Sequence, residues 1–397
     1  MNNPLPLSLY VHLPWCVRKC PYCDFNSHEM KDNLPEQLYV AALLQELDTH
    51  VDLLQKRPLI SIFFGGGTPS LFSAQAIAQI LDGVAARMPL AENIEITLEA
   101  NPGTAEQTRF RDFHLAGINR LSLGIQSLQN DKLKILGRIH DKENAMRAIE
   151  MAQTAGFTNF NLDLMYGLPQ QSLEDAMHDL ETAISFHPTH LSWYQLTIEP
   201  NTFFYHHTPA LPSDEAAWQM QLSGQQLLQA HGLQQYEVSA YSLPQKECAH
   251  NNNYWTFGDY LGIGAGAHSK ISLHERDPHS DHHHVIRFMQ VKHPRDYLDA
   301  QKRKNIAIPH LNESDLIFEF MLNALRLTRG VSIKLFTERT GVTLLQAQPL
   351  LQKAIKRGLL IDDKNIICAT DLGKRFLNDL VGIFLVTYAT RHGIHTQ

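Results

Sequence analysis

Tyr10-Val11-His12-Leu13-Pro14-Trp15-Cys16-Val17-Arg18-Lys19-Cys20-Pro21-Tyr22-Cys23-Asp24-Phe25 is the stretch from which the fold can be read. Three of the chain's five cysteines lie in it, spaced C-x3-C-x2-C, directly after a short apolar run of strand character. Thiolates bunched in one loop suit zinc or an iron–sulfur cluster. A structural zinc site takes four protein ligands. Cys248 and Cys368 are remote in sequence, so His12 or His28 would have to complete a Cys3His site. A cubane on Cys16, Cys20 and Cys23 instead leaves one iron open to an outside ligand. Arg18 and Lys19, between the cysteines, help keep the thiolates ionised.

The chain around this loop is that of a globular protein. Its 397 residues are 44% hydrophobic and 19% charged, which excludes extended disorder. A length near 400 residues predicts one large domain and a smaller one. Lys and Arg number 34 against 41 Asp and Glu, a formal charge of -7, which argues against a dedicated nucleic-acid binder. No apolar run reaches membrane-spanning length, and Met1-Asn2-Asn3-Pro4 has no secretory character, so a cytoplasmic location is expected. Few, clustered cysteines fit a reducing compartment. The tract His279-Ser280-Asp281-His282-His283-His284 has metal-binding composition, but reads equally as a polar surface loop.

From Leu7 onward, short apolar runs alternate with amphipathic stretches. Strands are expected at Leu7–Leu13, Leu59–Phe64, Ile94–Glu99, Arg120–Ile125, Phe160–Met165, Leu191–Ile198 and Tyr236–Ala240. Helices are expected at Glu36–Leu54, Ala74–Ala86, Ala105–Ala116, Lys142–Ala155, Leu173–Phe186 and Asp214–Ala230. Ser73 and Thr104 stand at N-cap positions, and Gly117 and Gly156 at C-cap positions. Six βα units with a seventh strand are too few for a closed eight-fold barrel. They predict an α/β fold with a partial (β/α)6 TIM-like barrel.

Polar signals collect where barrel strands end. Gly65-Gly66-Gly67-Thr68-Pro69-Ser70 follows the second strand. Glu99-Ala100-Asn101-Pro102 ends the third, Gly124-Ile125-Gln126-Ser127 the fourth and Asp163-Leu164-Met165-Tyr166-Gly167 the fifth. Glu99, Gln126 and Asp163 sit in or beside apolar runs, where a bare polar group is costly. The glycine run lets a ligand approach backbone N–H groups. It lacks the Lys-Ser/Thr of a triphosphate-binding loop, so a small zwitterion fits it better.

After Pro244 the rhythm stops. Gly262-Ile263-Gly264-Ala265-Gly266-Ala267-His268 resembles a dinucleotide fingerprint only superficially. It reads as a close-packed turn that brings His268 near the barrel mouth. From Leu311 a helical pattern returns: Ser314–Arg326, Ile333–Thr340, Leu344–Lys356 and Asp371–Tyr388, with short apolar runs at Leu359–Ile361 and Asn365–Cys368. This resembles a winged helix. Ten Lys/Arg against four Asp/Glu between Arg326 and Arg375 would suit nucleic acid, but such modules also serve in plain docking.

C-x3-C-x2-C, then GGGTP, Glu99, Gln126, Arg138 and Asp163 at these intervals, resembles the radical S-adenosylmethionine superfamily. More narrowly, nearly the whole chain resembles the oxygen-independent coproporphyrinogen III dehydrogenases (HemN) and the related HemW haem chaperone family. The resemblance implies that Cys16, Cys20 and Cys23 bind a [4Fe–4S] cluster whose fourth iron takes the methionyl amine and carboxylate of S-adenosyl-L-methionine. In such enzymes one electron splits the sulfonium to methionine and a 5′-deoxyadenosyl radical. It further implies an S-adenosylmethionine pocket of Tyr10, Tyr22, Gly66, Gly67, Thr68, Glu99, Gln126, Arg138 and Asp163. The chemistry of those side chains agrees: Glu99 can accept from an ammonium and Arg138 can fork onto a carboxylate, although Arg138 also reads as a surface residue after a Leu-Gly turn.

Two departures from the dehydrogenase point to the HemW branch. Phe25 stands where that enzyme has a fourth cysteine, and only fifteen residues precede Cys16. His250-Asn251-Asn252-Asn253-Tyr254-Trp255 resembles that branch's H-N-x-x-Y-W signature, which implies haem binding through His250, Asn251, Tyr254 and Trp255. Imidazole is a common haem ligand and the aromatic rings could stack on a porphyrin. Without the family, the same residues read as an aromatic turn beneath the barrel, with His250 satisfied by hydrogen bonds.

The resemblance thus implies residues 1–243 as a radical SAM core, 244–305 as a haem-motif segment and 306–397 as a helical, winged-helix-like domain. The implied partners are haem and apo-haemoprotein clients such as respiratory enzymes, with membrane contact only peripherally through clients, no nucleic acid, and a monomer or dimer. Net catalysis is not expected. The competing readings are a coproporphyrinogen III dehydrogenase and, on the same scaffold, a radical methylase or haem-degrading enzyme.

Overall fold

Leu7–Leu13 (β1) is buried on both faces, as expected of a strand inside a parallel sheet covered by helices. In the computed structural model, which describes residues 5–103, 106–273, 284–308 and 311–385, five strands follow β1 side by side and parallel. They are β2 (Leu59–Gly66), β3 (Leu90–Ala100), β4 (Arg120–Gln126), β5 (Phe160–Tyr166) and β6 (His190–Gln195). The intervening helices are α1 (Glu36–Asp48), α2 (Ala74–Ala85), α3 (Glu106–Leu115), α4 (Lys142–Thr154) and α5 (Leu173–Ile184), followed after β6 by α6 (Asp214–Ala230). Ser73 caps α2 through the Ala76 N–H, and Ser172 closes a capping box on α5. Gly117 and Gly156 take positive φ just past α3 and α4, as read from their positions. The proposed Thr104 cap lies outside the described residues.

This is the expected α/β partial barrel, with all six strands ending at one mouth. Two features differ from expectation. The seventh strand is a hairpin, β7 (Gln234–Glu237) and β8 (Ala240–Ser242), antiparallel to β6, because the Val238-Ser239 turn breaks the run. The segment after Pro244 also joins the sheet. It supplies α7 (Ala249–Trp255) and then β9 (Asp259–Ile263), β10 (His268–Leu273), β11 (His284–Gln290) and β12 (Asn305–Ile308). β9 pairs parallel with the free side of β1, and β10 to β12 continue antiparallel. The order is β12-β11-β10-β9-β1-β2-β3-β4-β5-β6-β8-β7, twelve strands among the described residues, with the parallel ones in the centre. Within the His279–His284 tract, residues 279–283 lie outside the described residues, and His284 opens β11.

The C-terminal part has its own core around Phe320, Phe336 and Leu380. It comprises α8 (Glu313–Ala324), α9 (Ile333–Thr340), α10 (Leu344–Lys356) and a two-residue antiparallel ladder, Val331–Ser332 with Ile366–Ile367. The expected last helix is shorter and broken, at Asp371–Arg375 and Leu377–Gly382; residues beyond Leu385 lie outside the described residues. Arg326 joins this part to the barrel by an ion pair to Glu237 at 3.0 Å and by lying over the Trp255 ring at 4.3 Å. No helix among the described residues is long and apolar enough to cross a membrane.

Candidate functional site at the barrel mouth

Cys16 ends a two-residue strand, Trp15–Cys16, that pairs parallel with His28–Glu29 and so closes the cysteine loop on itself. The Cys23 N–H donates to Cys20 O at 3.1 Å, which turns the second and third thiols back toward the first. All three cysteines line one cavity of about 460 Å³ at the mouth, within the usual range of ligand sites. Burial raises the Cys16 thiol, while the Thr68 and Ser27 hydroxyls pull it back.

The donor set bears on which group the loop holds. Both ring nitrogens of His12 are spent, on Tyr10 Oη and Asn26 O, each at 2.9 Å. Burial holds that imidazole down at about 4. His28 Nε2 is turned to Asn26 Oδ1. His12 therefore offers no fourth ligand. Among the described residues no three His, Cys, Asp or Glu converge as they would on a single ion. Three thiols around one cavity fit the larger body of a cluster.

Arg138 ties the loop to the barrel. Its guanidinium donates to Asn101 Oδ1 at 2.5 Å and to Gly124 O at 2.7 Å, and reaches Cys20 Sγ at 3.6 Å; its buried Nε has no partner among the described residues. Asn101 passes the connection to Thr68 Oγ1 at 2.9 Å. Asn101 was visible in the sequence only as part of a strand-ending turn. Tyr22 stands beside Arg138 and packs on Phe204.

Gly66, Gly67, Thr68, Glu99, Gln126, Asp163, Tyr22 and Arg138 all line the same cavity; Tyr10 does not. Glu99 Oε2 accepts from the Gly66 N–H at 3.3 Å. Burial, with the Asp163 charge adding, pushes its carboxyl up to about 8. Asp163 accepts from Ser122 Oγ and Asn161 Nδ2, and burial outweighs these bonds to raise it. Gln126 takes φ +69 and accepts from Tyr194 Oη at 2.9 Å. Asp179 on α5 holds the turn that follows, accepting from Ser127 Oγ at 2.7 Å and the Leu128 N–H at 2.9 Å.

The glycine run works differently from expectation. Its N–H groups are already used: Gly66 donates to Glu99, Gly67 to Leu13 O and Thr68 to Trp15 O. The glycines are required by neighbours instead. A Cβ on Gly66 would meet the His12 ring at 2.7 Å, and one on Gly67 would meet Trp15 O at 2.5 Å. Packing of the run against the cysteine loop, which spacing along the chain does not reveal, is the reason.

The haem-motif residues stay together: His250, Asn251, Tyr254 and Trp255 all line one chamber of about 370 Å³. Asn251 and Trp255 line the main cavity, and Tyr254 lines two neighbouring chambers. His250 is only 2% exposed. It shares a hydrogen bond with Ser61 Oγ at 2.9 Å through Nδ1 and stacks on Phe63 at 5.0 Å; Nε2 has no partner and is itself buried. Burial, then the Arg120 charge, drives that imidazole down to about 3. Glu95 accepts from the Ala249 and His250 N–H groups, seating α7 in the barrel floor.

Comparison with known proteins was made on this framework. Residues 10–183 match the model of the Radical SAM superfamily, and residues 311–376 that of the HemN C-terminal domain. A relative from Escherichia coli (strain K12), described as "Heme chaperone HemW", is 49% identical over 380 residues, 96% of this chain and 98% of its own. Relatives of the same description from Haemophilus influenzae and Bacillus subtilis are 47% and 33% identical, covering 96% and 95% of this chain and 98% and 99% of their own. Among solved structures, Escherichia coli coproporphyrinogen III oxidase (HemN) superimposes with a TM-score of 0.79 at 24% identity, over 96% of this chain and 90% of that one, a likeness of fold.

Proposed function

Because the chain belongs to the HemW family of the radical S-adenosylmethionine superfamily, we propose that it is a haem chaperone: it binds haem and passes it to apo-haemoproteins, respiratory enzymes among them. Cys16, Cys20 and Cys23 hold a [4Fe–4S] cluster, and the cavity they line takes S-adenosylmethionine. The observation that carries this reading is that three thiols, the Glu99 carboxyl and the Arg138-Asn101-Thr68 brace surround one mouth cavity, in a chain alike to named haem chaperones over nearly its full length.

The chain's own residues account for the binding steps. Glu99, with its carboxyl pushed up to about 8, gives up its proton when an ammonium arrives beside it. Arg138 holds Cys20 and Asn101 in register. Asp163, anchored by Ser122 and Asn161, offers an acceptor to a ribose hydroxyl. A cluster held by Cys16, Cys20 and Cys23 would supply one-electron reducing chemistry to a sulfonium bound beside it.

The test is titration of the anaerobically reconstituted protein with hemin. A shifted Soret band with saturable binding is expected, and its absence overturns the reading. In parallel, conversion of coproporphyrinogen III to protoporphyrinogen IX with consumption of S-adenosylmethionine would make the chain a dehydrogenase; none is expected, since Phe25 occupies the position of that enzyme's fourth cysteine.

A further inference from the structure

We propose that the haem iron is ligated by His268, in a chamber beside the cysteine loop, with Lys292 taking a propionate. This rests on the haem reading above and assigns its site. The chamber has a volume of about 530 Å³ and opens between β1, the cysteine loop and the β9–β10 turn. It shares Asp24, Phe25, Gly66 and Glu99 with the main cavity, so a ligand in it borders the site of the cluster.

Haem asks for aromatic surface to pack on, a neutral nitrogen donor for iron and a cation for its carboxylates. Tyr254 and Tyr260, whose rings meet at 4.3 Å with a 43° tilt, supply the surface, with Phe25, 64% exposed, at the rim. Two histidines line the chamber. His12 has both nitrogens engaged, whereas His268 is exposed and neither of its ring nitrogens is hydrogen-bonded among the described residues. Partial desolvation, then the Lys292 and Arg287 charges, lowers the imidazole of His268, favouring the neutral form that binds metal. Lys292 lines the same chamber with its side chain exposed.

The backbone prepares this placement. Gly264 and Gly266 take φ of +105 and +78 and turn β9 back into β10, so that His268 begins β10 at the mouth. Asn26 of the cysteine loop donates to Ala265 O at 2.8 Å and to Lys292 O at 2.9 Å, bracing both halves of the site against the cluster loop. A Cβ on Gly266 would meet Asn26 Nδ2 at 2.3 Å. His250, by contrast, is only 2% exposed, with Nδ1 held by Ser61, and lines a separate chamber with Asn251, Tyr254 and Trp255.

The experiment titrates full-length, cluster-loaded protein with hemin, comparing the parent chain with His268→Ala, His268→Met and Lys292→Glu. His268→Ala should weaken hemin binding at least tenfold while retaining the parent's iron and sulfide content. His268→Met should bind hemin with a changed Soret position and changed low-spin electron paramagnetic resonance. Lys292→Glu should weaken binding several-fold with an unchanged ligand signature. Parent-like affinity and spectra in both His268 variants overturn the assignment while leaving the haem reading intact. Failure of the parent chain to bind hemin removes both.

Discussion

The floor and the mouth of this barrel use similar residues to opposite ends. At the floor, Asp259 is fully buried and accepts from Arg57 at 2.7 Å, Lys270 at 3.1 Å and the Ser272 N–H at 2.9 Å. Asn253 of α7 donates to Ser8 Oγ and Asp259 O, and His250 to its side meets Ser61. These groups lock β1, β2, β9 and α7 together. At the mouth, a carboxyl is pushed up by burial with one backbone N–H for a partner, three thiols face a cavity, and His268 stands free. Polar groups satisfied by protein specify structure, and those held open are available to a ligand. The contrast predicts that floor substitutions change stability and mouth substitutions change binding.

The largest effect should come from Asp259→Asn, which leaves Arg57 and Lys270 buried beside a neutral amide. We expect a loss of about 3–5 kcal/mol, read by urea unfolding. Burial alone would raise the Asp259 carboxyl, but Lys270 and Arg57 outweigh it and hold it below its ordinary value. Its contribution is therefore present above the unfolded value of about 3.9 and disappears as pH falls through the folded one. The variant's stability should accordingly respond less to acid below about pH 4; an unaltered acid limb would break the assignment.

His250→Ala should cost about 2–3 kcal/mol, through the lost Ser61 hydrogen bond and the space left against Phe63. Full stability in this variant, with its hemin spectrum changed, would move His250 into the class of the mouth and blunt the comparison.

The smallest effect concerns Glu99. Folded, it keeps a proton that the unfolded chain gives up near pH 4.3, so the ligand-free chain should lose stability as pH rises from about 4.3 toward about 8. Binding of S-adenosylmethionine near pH 7 should then release up to about one proton. Calorimetry in two buffers of different ionisation enthalpy measures it. Zero release would remove Glu99 from contact with the amine.

Legibility followed the same division. The C-x3-C-x2-C loop, the rhythm of strands from Leu7 to Gln195 and the helix caps at Ser73 and Gly117 could be read because each is encoded within a few neighbouring residues. β9 to β12 could not. β9 and β12 are short, β10 carries His, Ser and Lys where an apolar run is expected, and Lys270 is tolerated there because Asp259, eleven residues earlier, meets it. The glycine run was found for its spacing, yet its N–H groups turned out to be spent on Glu99, Leu13 and Trp15 within the protein.

By itself, then, the sequence determined the thiol loop, the barrel it sits on and the family. Only the tertiary structure decided which of two histidines is packed and which is exposed. His250 and His268 lie eighteen residues apart, with no difference in side-chain chemistry. Pairing of β9 with β1, some 250 positions away, places one under the barrel and the other at its mouth. Burial is set by contacts that no local pattern contains, and burial is what separates a packed imidazole from an available one.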